Sequence, residues 1–166
     1  MSKVMLVTGG GRGIGAAIAK LAARRGYAVG VNYHANADAA QAVVDDISRG
    51  GGKAVAIQAD VADEDQVVRM FRTLDERLGR IDALVNNAGI LEKQMRVEDM
   101  DAARLHRVLS TNVVGAFLCA REAVRRMSPR HAARAAPSST CPRPRPVWDR
   151  PTNTWITPRP RARWTR

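Results

Sequence analysis

Proline and tryptophan are absent from the first 128 residues of this chain; all eight prolines and all three tryptophans come after them. Glycine has the opposite bias, with all thirteen at or before Gly115. Cysteine is scarce. Cys119 and Cys141 have no metal-ligand spacing, and two cysteines in a chain this long exclude the disulfide-dense scaffolds of small secreted proteins. Both are expected to be reduced thiols in a cytoplasmic protein. No stretch reaches the roughly 20 apolar residues that span a bilayer, so no membrane partner is expected. No basic segment followed by a long apolar run opens the chain, so no signal peptide is expected.

What is present divides in two. The 166 residues suit one domain, and the net charge of +11 sits mostly at one end. Residues 1–127 carry 18 Lys+Arg against 15 Asp+Glu, whereas residues 128–166 carry nine Arg against Asp149 alone. Within 1–127, short apolar runs alternate with stretches of helical spacing. Strands are expected at 3–8, 27–33, 54–58 and 83–86. Helices are expected at 14–25, 37–48 and 64–78, and a long fourth helix at 100–127. Four such alternations indicate βαβ units and an α/β fold with a doubly wound parallel sheet. In 128–166 the only Val, Ile, Leu or Phe residues are Val147 and Ile156. Such a segment buries too little apolar surface to offset its chain entropy, and disorder is expected.

Between the first strand and first helix runs TGGGRGIG, residues 8–15. A glycine-rich loop in this context suits a dinucleotide. Gly9 permits the tight turn, Gly13 lets a pyrophosphate approach the backbone, and Gly15 lets helix and strand pack closely. The helix start offers free N–H groups to phosphate. The alternative is a plain strand–helix turn. The second strand delivers the group that reads the adenosine ribose, normally Asp or Glu in an NAD site. Here VNYHANAD places Asn32, Tyr33 and His34 at that end, with no acid before Asp38. Arg12 is a candidate partner for a 2′-phosphate. NADP(H) is therefore favoured over NAD(H). Read otherwise, Arg12 is a solvated loop charge and His34 a surface residue.

Three more stretches join the loop: ADV at 59–61, NNAG at 86–89 and STNVVGAF at 110–117. Together they resemble the short-chain dehydrogenase/reductase family over about residues 1–127, the amino-terminal half of a normal member. The resemblance implies a Rossmann-type sheet, truncated here after about four strands, and interconversion of a small alcohol and a carbonyl with a dinucleotide. By position, Thr8, Gly9, Gly13, Ile14 and Gly15 would form the cofactor loop. Asp60 would accept from the adenine amino group beside the Val61 backbone. Asn86, Ala88 and Gly89 would support the fourth strand and line the nicotinamide ribose. Asn112 resembles the catalytic asparagine that helps hold a water in a proton relay. From the residues alone, Asn112 also reads as a satisfied core asparagine within an apolar stripe of Leu105, Val108, Leu109, Val113, Ala116, Phe117 and Ala120. Asp60 also reads as an N-cap, and His106 as a surface residue. The long helix offers a homo-oligomer interface.

The family's remaining catalytic residues are a Ser after a fifth strand and a Tyr-x-x-x-Lys pair. This chain's only tyrosines are Tyr27 and Tyr33, and its last lysine is Lys93, so no such pair exists. Ser138 and Ser139 lie in AAPSSTCP, which is no strand. The Arg, Pro, Ala, Ser, Thr and Trp mix of the tail, without lysine, resembles a GC-rich gene read out of frame. With free choice of synonymous bases, the shifted frame across residues 133–143 spells Gly-Ala-Ile-Val-Asn-Val-Ser-Ser, and across 156–161 it spells Tyr-Ala-Ala-Ser-Lys. These are the missing family motifs, in order. The chain then reads as a cofactor-binding half without competent catalysis. A reading from another class is a non-enzymatic dinucleotide-binding module whose basic tail binds nucleic acid or a protein partner. Against it, the tail has no RGG repeat, basic helix or folded recognition module.

Overall fold

The computed structural model describes residues 2–128. The expected disorder of the tail falls outside them. Strands β1 (Val4–Val7), β2 (Ala28–Tyr33), β3 (Ala54–Gln58) and β4 (Ala83–Val85) form one sheet in the order β3-β2-β1-β4. Every pairing is parallel. Helices α1 (Gly13–Arg24), α2 (Ala37–Arg49) and α3 (Glu64–Arg77) provide the crossovers. The strands and the first three helices match the expected elements to within about a turn.

Period-two alternation assigns each strand residue to one face. Val4 and Leu6 of β1 face a core with Val67, Phe71 and Leu74 of α3, while Val7 faces Ala19 and Ala22 of α1 and Val43 and Ile47 of α2. The sheet is thus covered on both faces, as its nearly continuous apolar strands require. Gly30 of β2 leaves its space to the Leu74 side chain.

The expected fourth helix is broken up. A short 3₁₀ turn (Val97–Asp99) precedes α4 (Ala102–Leu109), a π turn (Ser110–Val114) and α5 (Gly115–Met127). The π turn contains Asn112, whose side chain bonds backbone outside the helix. An extra residue per turn is a usual way for a helix to accommodate such an anchor. The apolar stripe expected along this helix is not a core face. Leu105, Leu109, Val113 and Phe117 are exposed, the last by 74 %. Inside instead are Gly115, Cys119, Glu122 and Ala123. Among the described residues β4 pairs only with β1 and forms a sheet edge.

Among the described residues Glu122 is the one buried charged residue. It accepts from Arg125 and Arg126, both at 2.7 Å. Arg126 also donates to Asp75 of α3 at 2.6 Å and lies 5.0 Å from the Phe71 ring centroid. Burial opposes the charge on Glu122, but the hydrogen bonds from Arg126 and Arg125 outweigh it and hold the carboxyl below its usual range. A depressed folded-state pKa stabilises above the unfolded value, about 4.3 for Glu. That contribution is lost as pH falls through the folded value. Glu122→Gln should lower stability by about 1–3 kcal/mol at neutral pH. Its melting temperature should also fall less steeply than that of wild type below about pH 4.5. Thermal melts across pH would check this, and parallel slopes would count against it.

Candidate dinucleotide site

The chain passes from β1 to β2 to β3, then crosses back to place β4 on the other side of β1. Between β1 and β4 the strand order reverses, and open α/β sheets bind ligands at the carboxyl ends of strands beside such a point. The glycine loop lies at that end.

The loop is braced by side chains of both neighbouring strand ends. Thr8 is buried. Its hydroxyl donates to Val85 O at 3.3 Å and accepts from the N–H groups of Asn87 and Ala88, both at 3.0 Å. Gly9 has a φ of +61°, and a Cβ there would lie 3.0 Å from Ala88 Cα. Both ends of Gly9 are bonded: its N–H donates to Asn32 Oδ1 at 3.2 Å, and its carbonyl accepts from Asn87 Nδ2 at 3.1 Å. Gly10 N–H donates to Asn32 O at 2.8 Å.

These bonds occupy the first loop amides, so donors for a phosphate come from the start of α1. The first helical bond runs from Ala16 N–H to Arg12 O at 3.2 Å, which leaves the amides of Gly13, Ile14 and Gly15 at an open helix start. Helices α2, α3 and α4 are capped by the side chains of Asn36, Asp63 and Asp101. Helix α1 has no side-chain cap and no acid in its first turn. Gly13 has a φ of +54° and nothing within 4 Å of where a Cβ would stand. A pyrophosphate can approach its backbone closely. At Gly15 a Cβ would press into Gly9 O and Asn87 Nδ2 well inside van der Waals contact. Ile14 is exposed beside the loop. These residues fit a dinucleotide pyrophosphate.

On the β2–β3 side of the loop, Tyr33 is half-buried at the end of β2. Asp60 is not the N-cap of α3, a place taken by Asp63. Asp60 instead closes its own turn, with Oδ1 accepting from Ala62 N–H at 2.9 Å. Its Oδ2 lies 3.9 Å from His34 Nε2. Val61 is buried, and Arg12 is exposed. Asn32, expected to meet the cofactor, is 1 % exposed.

On the other side, Asn86 Nδ2 donates to Ala116 O at 3.0 Å and ties β4 to α5. Asn112 Oδ1 accepts from Ile90 N–H at 2.8 Å, and its Nδ2 donates to Ile90 O at 3.0 Å. Gly89 sits where a Cβ would lie 3.4 Å from Asn112 Oδ1. The Asn112 amide thus holds the segment after β4 from both its polar atoms. Tyr27 precedes β2 and so lies at the opposite end of the sheet. His106 is exposed on α4. Cys119 is buried, and burial pushes its thiol up to about 11, the setting of a structural cysteine. A cavity of about 250 Å³ lined by Lys20, Ala23, Arg24 and Asp46 lies toward the far end of α1, away from the loop.

Asn87 was legible only as part of NNAG, and its contacts to Thr8 and Gly9 had no local signal. The contacts of Asn32 to Gly9, Ile57 and Ala59, 23 to 27 residues away, had no local signal either.

A four-stranded parallel sheet, a braced glycine loop and an open helix start define a Rossmann-type nucleotide-binding protein. The chain belongs to the short-chain dehydrogenase family, whose model matches residues 3–136. It is similar to an Escherichia coli protein described as uncharacterized oxidoreductase YgfF, 57 % identical over 125 residues, 75 % of this chain and 51 % of that one. It is 45 % identical over 122 residues to a 3-oxoacyl-[acyl-carrier-protein] reductase of Synechocystis, covering 71 % of this chain and 47 % of that one. A solved Serratia marcescens short-chain dehydrogenase/reductase aligns with a TM-score of 0.72 at 42 % identity, over 75 % of this chain and 51 % of that one. A dehydrogenase/reductase from Sinorhizobium meliloti gives 0.73 at 43 %, over 75 % and 49 %. The chain spans about half the length of the relatives it matches.

The loop makes a sharp test of steric fit. Gly15→Ala should destabilise the protein by about 1–3 kcal/mol, because the neighbour it meets is backbone and a hydrogen-bonded amide that cannot swing away. Dinucleotide binding should weaken as the loop is pushed off β4. Denaturant titration and fluorescence binding would measure both, and an unchanged midpoint would show that the loop yields.

Proposed function

We propose that residues 1–127 are the cofactor-binding half of an NAD(P)(H)-dependent oxidoreductase that interconverts a small alcohol and a carbonyl, with NADP(H) preferred. The observation that carries this is the uncapped, acid-free start of α1 beside the open face of Gly13. When bound, the nicotinamide would give or take the hydride. The chain's own residues would do the holding. Amides of Gly13, Ile14 and Gly15 would bind the pyrophosphate, assisted by the helix dipole. Asp60 would accept from the adenine amino group through the oxygen not bonded to Ala62, with Val61 beside it. Tyr33 would lie against the adenosine ribose. Ala88 and Gly89 would border the nicotinamide ribose, with Asn86 holding β4 to α5. Asn112 would keep the Ile90 segment in place, and with its amide engaged at both ends, any water it held would be held by its backbone. The exposed stripe of Leu105, Leu109, Val113 and Phe117 would receive a second copy of the chain. No helix among the described residues is long and apolar enough to cross a membrane.

The NADP(H) preference rests on an exposed Arg12 and a β2 end without a carboxylate. A guanidinium matches a phosphate geometrically, and no acid at that strand end repels it. Arg12→Ala should weaken NADPH binding about tenfold while changing NADH binding by less than about threefold, since charge-assisted bonds are worth about 1.5–3 kcal/mol. Titration with both cofactors decides it, and equal losses would remove Arg12 from this role.

The chemistry is the missing part. An alkoxide formed by hydride transfer needs a proton, and a positioned acid is typically worth about 10²–10⁴-fold. Tyr27 and Tyr33 have no lysine four residues on. The purified chain should bind dinucleotide yet oxidise NADPH with carbonyl substrates no faster than background. The tail is read here as a shifted frame, so the gene with its frame restored after about Met127 should gain turnover. Turnover by the chain as written would overturn the reading of an incomplete enzyme.

A further inference from the structure

We infer that Asn32 is a positioning residue for the phosphate-binding loop, one buried amide that fixes the loop over β2 and locks it to the end of β3. The inference rests on the dinucleotide reading above, and it replaces direct cofactor contact by Asn32 with support from beneath.

Asn32 is 1 % exposed and sits in register with Ile57 of β3. Its Oδ1 accepts from Gly9 N–H at 3.2 Å. Its Nδ2 lies 3.0 Å from Ala59 O, 3.3 Å from Ile57 O and 3.4 Å from Tyr33 O. Its own carbonyl accepts from Gly10 N–H. One side thus meets a donor, the amide of the loop's positive-φ glycine. The other meets carbonyls just ahead of Asp60. Only a side chain carrying an acceptor and a donor on one short stem serves both, and in this position that is asparagine. Aspartate would keep the acceptor but set a carboxylate oxygen against Ala59 O and Ile57 O. Leucine would fill the volume and leave Gly9 N–H and the carbonyls without partners, which is costly in a buried place. With Gly9 N–H loose, the turn that aims the amides of Gly13, Ile14 and Gly15 loses its side-chain tie to β2; the Asn87 tie to Gly9 O and the backbone bond from Gly10 N–H to Asn32 O remain.

Two variants of the full chain test this, Asn32→Leu and Asn32→Asp, each read in two ways. The first reading is amide hydrogen exchange without ligand. In Asn32→Leu the Gly9 amide should exchange at least about tenfold faster, while the Thr8 amide, bonded to Val85 O at 3.0 Å, keeps its rate; a merely destabilised fold would accelerate both. The second is NADPH affinity, which should fall about tenfold in Asn32→Leu at every pH. In Asn32→Asp it should fall at about pH 8 and recover toward wild type near pH 5.5, because a protonated carboxyl again offers one acceptor and one donor. The contacts around this amide are backbone groups. His34 and Asp60 at the adjoining strand ends face each other and are common to variant and wild type, so the affinity ratio isolates the substitution. An unchanged Gly9 rate would overturn the inference. So would NADPH affinity within about twofold of wild type in folded Asn32→Leu, or a flat ratio across pH for Asn32→Asp. Failure of the wild-type chain to bind dinucleotide would instead count against the dinucleotide reading, while the exchange rates would still decide whether Asn32 holds the loop.

Discussion

Gly9 adopts a φ of +61° between a buried threonine and the rest of the loop, and the backbone can stay there only if its polar groups find partners. They find them on opposite sides. The N–H goes to Asn32 at the end of β2 and the carbonyl to Asn87 just beyond β4. β1 lies between those strands in the sheet, so the two amides brace the central strand's exit from both flanks. Thr8 adds a third tie through the backbone N–H groups of Asn87 and Ala88. With Gly9 fixed, Gly15 can settle against its carbonyl, and the direction of α1 is set. The open helix start that would meet a phosphate follows from that one peptide.

The brace also explains why the loop's early amides are unavailable to a ligand. Gly9 and Gly10 N–H groups both end on Asn32. A glycine-rich loop is often pictured as a cradle of equivalent donors, but here the amides of Gly9 and Gly10 are structural, and the donors open to a ligand come later in the loop and at the start of α1. The difference among the helices fits the same division of labour. Where a helix start has no ligand to meet, Asn36, Asp63 or Asp101 caps it, and such caps are typically worth about 1 kcal/mol.

Much of this was legible in the sequence because it is local. Strand and helix periods, the stop after each helix and the glycine spacing depend on residues a few positions apart, and the sheet order follows from right-handed crossovers. What escaped depends on distant partners. Asn32 carries the polarity of a ligand-reading residue, and nothing in its neighbourhood announces that Gly9 and Ala59 occupy its amide. Asn112 falls inside an apolar stripe, so its residues alone left a satisfied core asparagine open beside the catalytic role that the resemblance implied. Its helix is instead widened into a π turn, and the stripe faces outward. Helical periodicity finds a face but does not say what covers it. Glu122 escaped for the converse reason: a charged residue reads as solvated until Arg125 and Arg126 are seen closing over it.

The same geometry separates binding from chemistry. The carboxyl ends of β1 to β4, where the proposed dinucleotide would lie, fall within the described residues and brace one another. Moving a proton to a developing alkoxide needs a poised acid, and among the described residues the sheet ends at β4. Asn112 reaches toward that side, yet both polar atoms of its amide hold Ile90. An amide so engaged holds the segment after β4 in place and is no general acid. Among the described residues β4 pairs only with β1, and an uncovered strand edge invites pairing with another chain, so the apolar run that builds β4 is also the sheet's most exposed liability.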